Sequence, residues 1–205
     1  MAKLILNGAT SGSISLESPA VSGTTTLTLP TTSGTVLTSA SNTGFPAGSI
    51  LQVVSTTKTN SFSTSSTSFT DVTGLSVSIT PSSASNKILV FISCSMAASA
   101  DDKVLPLQLF RDSTAIGLAD QSGSNKLRTS GGAMSAQNVS DLFVETNNVS
   151  FQYLDSPSTT SSTTYKIQTR AGTSGSIIIG LNGDSTDDAN RASYPATITV
   201  MEVKG

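Results

Sequence analysis

Short apolar runs with a two-residue period dominate this sequence from Ser49 to its end. The clearest run is Lys87–Met96, where one face carries Ile88, Val90, Ile92, Cys94 and Met96. Such alternation is typical of a β-strand with one buried face, and no long segment shows the period of a helix. The sequence therefore predicts an all-β fold.

The same alternation predicts the other strands, and Gly, Ser, Asn and Pro residues separate them. In chain order they are Ser49–Thr56, Phe62–Val72, Leu75–Thr80, Val104–Arg111, Met134–Val144 and Asn148–Leu154, then the closing strands Tyr165–Arg170, Ser176–Gly180 and Ala196–Val203. So many short strands predict a two-sheet β-sandwich of the jelly-roll or tumour-necrosis-factor-like type.

A boundary near residues 44–48 divides the chain into an extended, β-rich N-terminal arm at 1–46 and the β-sandwich at 47–205. The arm has strand-like pieces at Lys3–Leu6, Ser13–Leu16, Thr24–Leu29 and Thr35–Thr38. Each piece has too few apolar residues for an independent core. A flexible tail is the alternative, but the alternation of Thr and Leu favours strands. We expect the arm to be an anchor.

Both ends of the chain resemble structural proteins of tailed bacteriophages. Near the N-terminus, Ser13–Ala20, Thr26–Pro30 and Ser33–Thr38 look like the pattern SP…TLTLP…SGTVLT of such proteins. The closing strands end in ITVMEV, which resembles the C-terminal knobs of phage fibres. The resemblance implies a homotrimeric virion appendage, made in the host cytoplasm. Residues 1–46 would attach it to head or tail proteins, and the sandwich would project towards the host surface.

Two alternatives stay open beside a receptor-binding fibre. The chain has neither the long repeats nor the coiled coil of many such fibres, which favours a head fibre or a capsid decoration protein without a receptor role. A carbohydrate-binding module is the other alternative. Such modules present aromatic platforms to sugars, whereas this chain lacks Trp and has only Tyr165 and Tyr194 near its closing loops.

Apolar residues on the second face of a strand predict a subunit interface. Leu89 and Phe91 lie opposite the apolar face of the Lys87–Met96 strand, although a sandwich strand needs only one apolar face. In a monomer this second face would be exposed. We assign the homotrimer interface to Leu89, Phe91, Leu154 and Ile178, with Val203 as a further candidate.

Candidate catalytic and metal-binding residues are sparse. The chain has no His, which excludes Ser-His and Cys-His nucleophile pairs, and its one cysteine, Cys94, falls on an apolar strand face. The segment 182–190 collects Asp and Asn oxygens but lacks the full calcium-loop pattern. A plain solvated turn is favoured over a metal site there, and we predict that the protein is not an enzyme and has no cofactor.

Charge and hydropathy limit the partners further. Charged residues make up 12% of the chain, the net charge is −2, and no basic run occurs, so we expect no nucleic-acid binding. No apolar stretch reaches transmembrane length, so we expect no membrane insertion. Polar loops are the predicted contacts for a host glycan or protein. These loops are Ala98–Lys103, Asp120–Gly132, Asp155–Thr164 and Asn182–Tyr194.

Overall fold

The architecture is all-β, as the strand periodicity predicts. A computed structural model describes residues 3–7, 9–17, 23–24, 26, 31–33, 44–99, 104–134, 146–173, 175–181 and 192–205. No described residue is helical, and thirteen strands are formed by these parts of the chain. The chain divides into two units, Met1–Gly44 and Phe45–Gly205, close to the boundary predicted at residue 46.

The N-terminal unit contains one antiparallel hairpin, formed by β1 (Lys3–Asn7) and β2 (Ser13–Glu17). Its register places Leu4 opposite Leu16 and Leu6 opposite Ile14. Three successive β1 side chains, Leu4, Ile5 and Leu6, are more than half exposed, at 56%, 52% and 52%. Two of the predicted strand-like pieces, at 24–29 and 35–38, lie largely outside the described residues.

Eleven strands form the second unit among the described residues. They are β3 (Ile50–Lys58), β4 (Phe62–Thr64), β5 (Thr70–Ile79), β6 (Lys87–Ala98), β7 (Val104–Arg111), β8 (Thr114–Ile116), β9 (Gly131–Met134), β10 (Asn147–Asp155), β11 (Thr163–Thr169), β12 (Ile177–Ile179) and β13 (Ala196–Val203). The predicted bounds of β7 and β13 are correct at both ends.

One predicted strand is divided by a turn, and another cannot be assessed. The segment predicted as Phe62–Val72 forms β4 and the start of β5. Ser66 breaks it, because its Oγ donates to the carbonyl of Ser68 and accepts from the N–H of the same residue. Side chains of this type favour turns by bonding to nearby backbone. Of the strand predicted at 134–144, only Met134 lies within the described residues.

Two antiparallel sheets build the sandwich. In the first sheet, β6 pairs on one side with β10 and on the other with β13 and β12, and these continue to β3 and β4 respectively. In the second sheet, β11 lies between β5 and β7, and β7 also pairs with β8 and β9. All of these pairings are antiparallel, which is consistent with a jelly-roll type of sandwich.

The core lies between the inward faces of the two sheets. From the first sheet come the even-numbered residues of β6, from Ile88 to Met96, with Ile198 and Val200 of β13. From the second come apolar residues of β5, β7 and β11, including Leu75, Leu107 and Ile167. These side chains are almost fully buried. The alternation read from the sequence thus corresponds to burial against the opposite sheet.

Candidate functional site

The outward surface of the first sheet is the candidate functional site. We call it the neutral face and define it by the outward positions of four neighbouring strands, β3, β13, β6 and β10. These positions are Val53, Ser55 and Thr57, Thr197, Thr199 and Met201, Leu89, Phe91 and Ser93, and Ser150, Gln152 and Leu154. None of these twelve residues is charged. The nearest outward charge is Lys87, at the end of β6.

An apolar row crosses the neutral face from edge to edge. Strand register places Val53 opposite Met201, Met201 opposite Leu89, and Leu89 opposite Leu154. The two residues on the terminal strands are the most exposed, at 54% for Val53 and 46% for Leu154. Directly opposed side chains on one sheet face lie about 5 Å apart. The row is therefore a continuous aliphatic band.

Hydroxyl groups follow the row on one side along the strands, and Val203 and Lys87 lie on its other side. The next rank contains Ser55, Thr199, Phe91 and Gln152, and in it the Ser55 and Thr199 hydroxyls are 2.8 Å apart and hydrogen-bonded. This bond satisfies one donor and one acceptor of the pair.

The outward face of the second sheet has a different character. There the Lys166 ammonium lies 2.7 Å from a carboxylate oxygen of Asp71, whose other oxygen accepts a hydrogen bond from the Gln168 amide. The hydrogen bond from Lys166 is the main reason that the pKa of Asp71 lies below its ordinary value. An ion pair on a face is typical of contact with water. The two outward faces therefore differ in charge, and the neutral face carries none among its twelve defining residues.

Glu202 is kept off the neutral face. It lies between Met201 and Val203 in the chain, but its side chain points inward and is 1% exposed. Burial alone would raise its pKa. Hydrogen bonds from Asn86, Gln52 and Ser82 outweigh that effect, so the pKa lies below the ordinary value. Because side chains alternate along the strand, the Glu202 carboxylate points away from the outward surface. Neutral hydrogen-bond donors stabilise this buried carboxylate.

The predicted interface residues do not all lie in one environment. Leu89, Phe91 and Leu154 share the neutral face, and Val203 continues it beyond the bulge in the pairing of β13 with β3. The prediction that a single chain exposes Ile178 is wrong, because this residue is 6% exposed.

Ile178 lies at the far end of the first sheet, among other buried residues. Residue 178 pairs with Ala97, which is also buried, as is the neighbouring Ser95. Directly after β12, Gly180 turns the chain with a φ of 89° and donates its N–H to Ser95. At this end, the outward face of the first sheet is buried within a single chain, which the sequence did not indicate.

Two members of the apolar row, Val53 and Met201, were missed from the sequence. In strand β13, apolar residues occur on both faces, with Ile198 and Val200 inward and Met201 and Val203 outward. This pattern could have identified Met201 from the sequence. In β3, Val53 and Val54 are adjacent and so point to opposite faces. A rule that seeks apolar residues on both faces of every strand would have included them.

Cys94 is a packing residue. It lies on the inward side of β6 and is 3% exposed, and burial raises the pKa of its thiol to about 12. A thiol with so high a pKa holds almost no thiolate near neutral pH, so it is a poor nucleophile.

A buried polar cluster ties the two sheets together. Asp155 of the first sheet accepts hydrogen bonds from the Arg111 guanidinium, at 3.0 and 3.1 Å, and from the Tyr165 hydroxyl, at 2.7 Å. Both donors belong to the second sheet. Burial, together with the bond to Asp155, raises the pKa of Tyr165. Tyr165 has no exposed surface, so it cannot serve as the sugar platform considered above.

Metal and membrane sites are not evident in the part of the chain that the structure describes. There, no three His, Cys, Asp or Glu side chains lie together in a group that could hold a metal ion. The segment 182–190, with its cluster of Asp and Asn, lies outside the described residues. Within the described ranges, no helix is long and apolar enough to span a bilayer.

Two of the predicted contact loops can be described in full. The loop before β9 is held by hydrogen bonds from Arg128 Nε to the carbonyl of Ala119, at 2.8 Å, and from Gln108 Nε2 to the carbonyl of Arg128, at 2.7 Å. The loop at 155–164 follows the buried Asp155. Most of the loops at 98–103 and 182–194 lies outside the described residues.

Comparison with known proteins adds no assignment. No protein-family model matches the chain, and no curated protein matches it significantly.

Proposed function

We propose that this protein is a structural component of a tailed-phage virion, a homotrimeric fibre or appendage. Its arm, residues 1–46, attaches to other virion proteins, and its β-sandwich projects outward to contact the host surface. It acts by shape and contact, with no catalytic chemistry. The proposal begins from the resemblance of both chain ends to phage structural proteins.

The neutral face is the observation that carries the self-association in this proposal. An aliphatic band crosses this sheet face, whose other defining positions are uncharged, and depletion of charge is a feature of the cores of protein interfaces. On the other sheet, the Asp71–Lys166 pair occupies the corresponding outward surface.

The hairpin supports the anchoring role of the arm. An isolated two-stranded hairpin is marginally stable in water. This one exposes Leu4 and Leu6 on one side and Ile5 on the other. Burying such side chains stabilises by about 25 cal/mol per Å² of apolar surface. Docking on another virion protein would therefore order the arm and hold the sandwich at the particle.

Host contact is the outward half of the proposal. Loops on a rigid β scaffold can vary in sequence without disturbing the core. The loop before β9 has such support, because Gln108 and Arg128 bind its backbone. Three copies per appendage would multiply weak contacts to a glycan or protein. A decoration protein would share the sandwich but lack the host contact. A carbohydrate-binding module that acts apart from a virion would share the sandwich but lack the attachment to virion proteins.

Deletion of residues 1–44 tests the proposal. We expect the shortened chain to fold and trimerise but to be absent from purified particles, whereas the full chain is incorporated. A point variant, Leu6→Asp, should reduce incorporation, while Thr10→Asp, an exposed residue between the strands, should not. Normal incorporation of the deletion would refute the role of the arm.

Adsorption of particles to host cells tests the proposed contact with the host surface. Particles that lack the protein should adsorb more slowly, and the purified trimer should compete with intact particles. Incorporation without any effect on adsorption would support the decoration protein instead. Binding to a neutral glycan by a protein that never enters particles would support the carbohydrate-binding module.

A further inference from the structure

We propose that the edge of the sandwich between β8 and β10 binds one ring of a neutral saccharide. We call it the edge site and define it by Tyr153 and Asp155 of β10, Arg111 of β7, and Gly117, directly after β8. None of these residues belongs to the neutral face. The inference rests on the proposed host contact, and it specifies where on the sandwich that contact is made and which class of ligand it takes.

The ring of Tyr153 lies flat against the backbone at Gly117. Tyr153 shares the inward side of β10 with Phe151, which packs against the core. A Cβ atom placed on Gly117 would be 2.9, 3.2 and 3.3 Å from the ring atoms Cδ2, Cγ and Cε2. Distances this similar put that point above the ring face, because an approach in the ring plane would leave Cγ and Cε2 well beyond Cδ2. Tyr153 is nonetheless 36% exposed, so its open surface is the opposite ring face and the rim.

Arg111 supplies hydrogen-bond donors beside this ring. Its Nη1 atom alone donates to the Asp155 carboxylate and to the carbonyl of Ser156. The other two nitrogens, Nε and Nη2, make no hydrogen bond with any described residue, and the side chain is 28% exposed. In the part of the chain that the structure describes, the buried side-chain nitrogens and oxygens without a partner belong to Thr146 and Asn147. The free Arg111 donors are therefore in contact with water and can bind a ligand.

The aromatic ring and the free donors are close enough to contact one sugar ring together. Tyr153 and Asp155 are two residues apart on the same side of β10, so their Cα atoms are about 6.6 Å apart. Across the edge, Tyr153 lies against Gly117, and Asp155 is bonded to Arg111 at 3.0 Å. This spacing matches the width of a pyranose ring with its hydroxyl groups. A sugar stacked on the open face of Tyr153 would therefore bring a hydroxyl oxygen to the Arg111 donors.

The charges at the edge site favour a neutral ligand over an anion. The Arg111 cation is balanced by Asp155, and Asp112 lies in the adjacent turn, where its carboxylate accepts the N–H of Thr164. These groups leave no surplus positive charge to attract an anion. A paired guanidinium still donates strong hydrogen bonds to neutral oxygens. The face of an aromatic ring carries partial negative charge, which attracts the polarised C–H groups of a sugar. Together these features suit a neutral saccharide.

Titration of the full chain with free oligosaccharides tests the edge site. Neutral and acidic bacterial oligosaccharides are compared on a glycan array, and those that bind are titrated by calorimetry. We expect binding of a neutral member, and Tyr153→Ala should weaken it roughly tenfold, because the stacking surface is lost. The chain has no Trp and three Tyr, of which Tyr165 is fully buried. Binding should therefore change the near-ultraviolet absorption of tyrosine. Tyr153→Phe should keep most of the affinity, because the ring is retained, but lose this spectral change.

A second variant and a control separate recognition from folding. Arg111→Lys keeps a cation for Asp155 but removes the Nε and Nη2 donors, so it should also weaken binding. Val104→Ala shortens a side chain that is 48% exposed on the outward side of the second sheet, and it should bind as the wild type does. Circular dichroism checks that each variant is folded. If Tyr153→Ala does not fold, the spectral change retained or lost in Tyr153→Phe decides the question.

Three results would overturn the edge site: no neutral oligosaccharide binds, only acidic ones bind, or the spectral change survives in Tyr153→Phe. Particle assays separate this inference from the proposed function. Neutral saccharide binding that depends on Tyr153, in a protein that never enters particles, would support the edge site and refute the virion role. Particles that adsorb more slowly without the protein, but normally with Tyr153→Ala, would overturn the edge site as the host contact and leave the proposed function standing.

Discussion

Replacing Glu202 by Gln should destabilise the sandwich although the exchange preserves the shape of the side chain. One oxygen of Glu202 accepts hydrogen bonds from the Ser82 N–H at 2.6 Å, the Ser82 hydroxyl at 2.8 Å and the Asn86 amide at 2.6 Å. Its other oxygen accepts from Gln52 Nε2, also at 2.6 Å. The carboxylate thus joins the last strand to the turn between β5 and β6.

The Gln52 amide cannot adapt to the exchange. Its Nε2 also donates to the carbonyl of Thr80, at 2.8 Å, so a flip would set two oxygens against each other. In Glu202→Gln the new amide nitrogen would face Gln52 Nε2, donor against donor. Hydrogen bonds to charged groups contribute about 1.5–3 kcal/mol each and neutral ones about 0.5–1.5 kcal/mol. Losing one bond and weakening three would cost roughly 4–7 kcal/mol by these values, and removal of the burial cost of the charge offsets part of this loss, so we expect a destabilisation of about 3 kcal/mol at neutral pH.

The dependence of this difference on pH follows from the direction of the pKa shift. The folded-state pKa of Glu202 is below its ordinary value of 4.5, so the carboxylate's contribution is complete above that value and is lost as pH falls through the folded pKa. Below the folded pKa, the wild-type group is protonated and, like Gln, neutral. The stability difference between wild type and Glu202→Gln should therefore shrink as the solution is acidified.

Urea denaturation followed by far-ultraviolet circular dichroism, at one protein concentration, measures this difference. A loss of about 3 kcal/mol corresponds to a fall in Tm of roughly 6–12 °C for a domain of this size. Asp112→Asn is the matched control, since this exposed carboxylate accepts one described bond, from the Thr164 N–H at 2.9 Å. It should cost less than about 1 kcal/mol. A Glu202→Gln effect below that level, or one equally large at pH 7 and pH 3, would refute the reasoning.

Two further predictions concern oligomeric state and thiol reactivity. Phe91→Asp, on the neutral face, should dissociate the trimer in light scattering, whereas Phe110→Asp, on the outward side of the second sheet opposite Lys166, should leave it intact; equal behaviour of the two variants would contradict the choice of face. Cys94 should resist maleimide at pH 7 in the native protein and react after denaturation, because its thiol is buried and its pKa is raised to about 12; rapid labelling of native protein would disprove its packing role.

Most of the fold could be predicted because burial follows the two-residue period of a strand. The ladder Ile88 to Met96 was readable as an inward face, and Val104–Arg111 and Ala196–Val203 were bounded correctly by their flanking turn residues. The turn that divides the segment predicted at Phe62–Val72 could not be predicted from the sequence. It depends on whether the Ser66 side chain bonds to nearby backbone or faces water, and the alternation of residues is the same in both cases.

The sequence by itself determined the fold class and drew attention to Leu89, Phe91 and Leu154. Alternation along a strand shows which residues share a face, so apolar residues on either face can be recognised from the sequence. Only the tertiary structure decided which strands are neighbours. Pairing between Val53, Met201, Leu89 and Leu154 joins residues far apart in the chain into one band, while Ile178, of the same apolar type, is covered by its own chain. Side-chain direction is a local property of a strand, but sheet order and the covering of a face are long-range, and no local pattern encodes them.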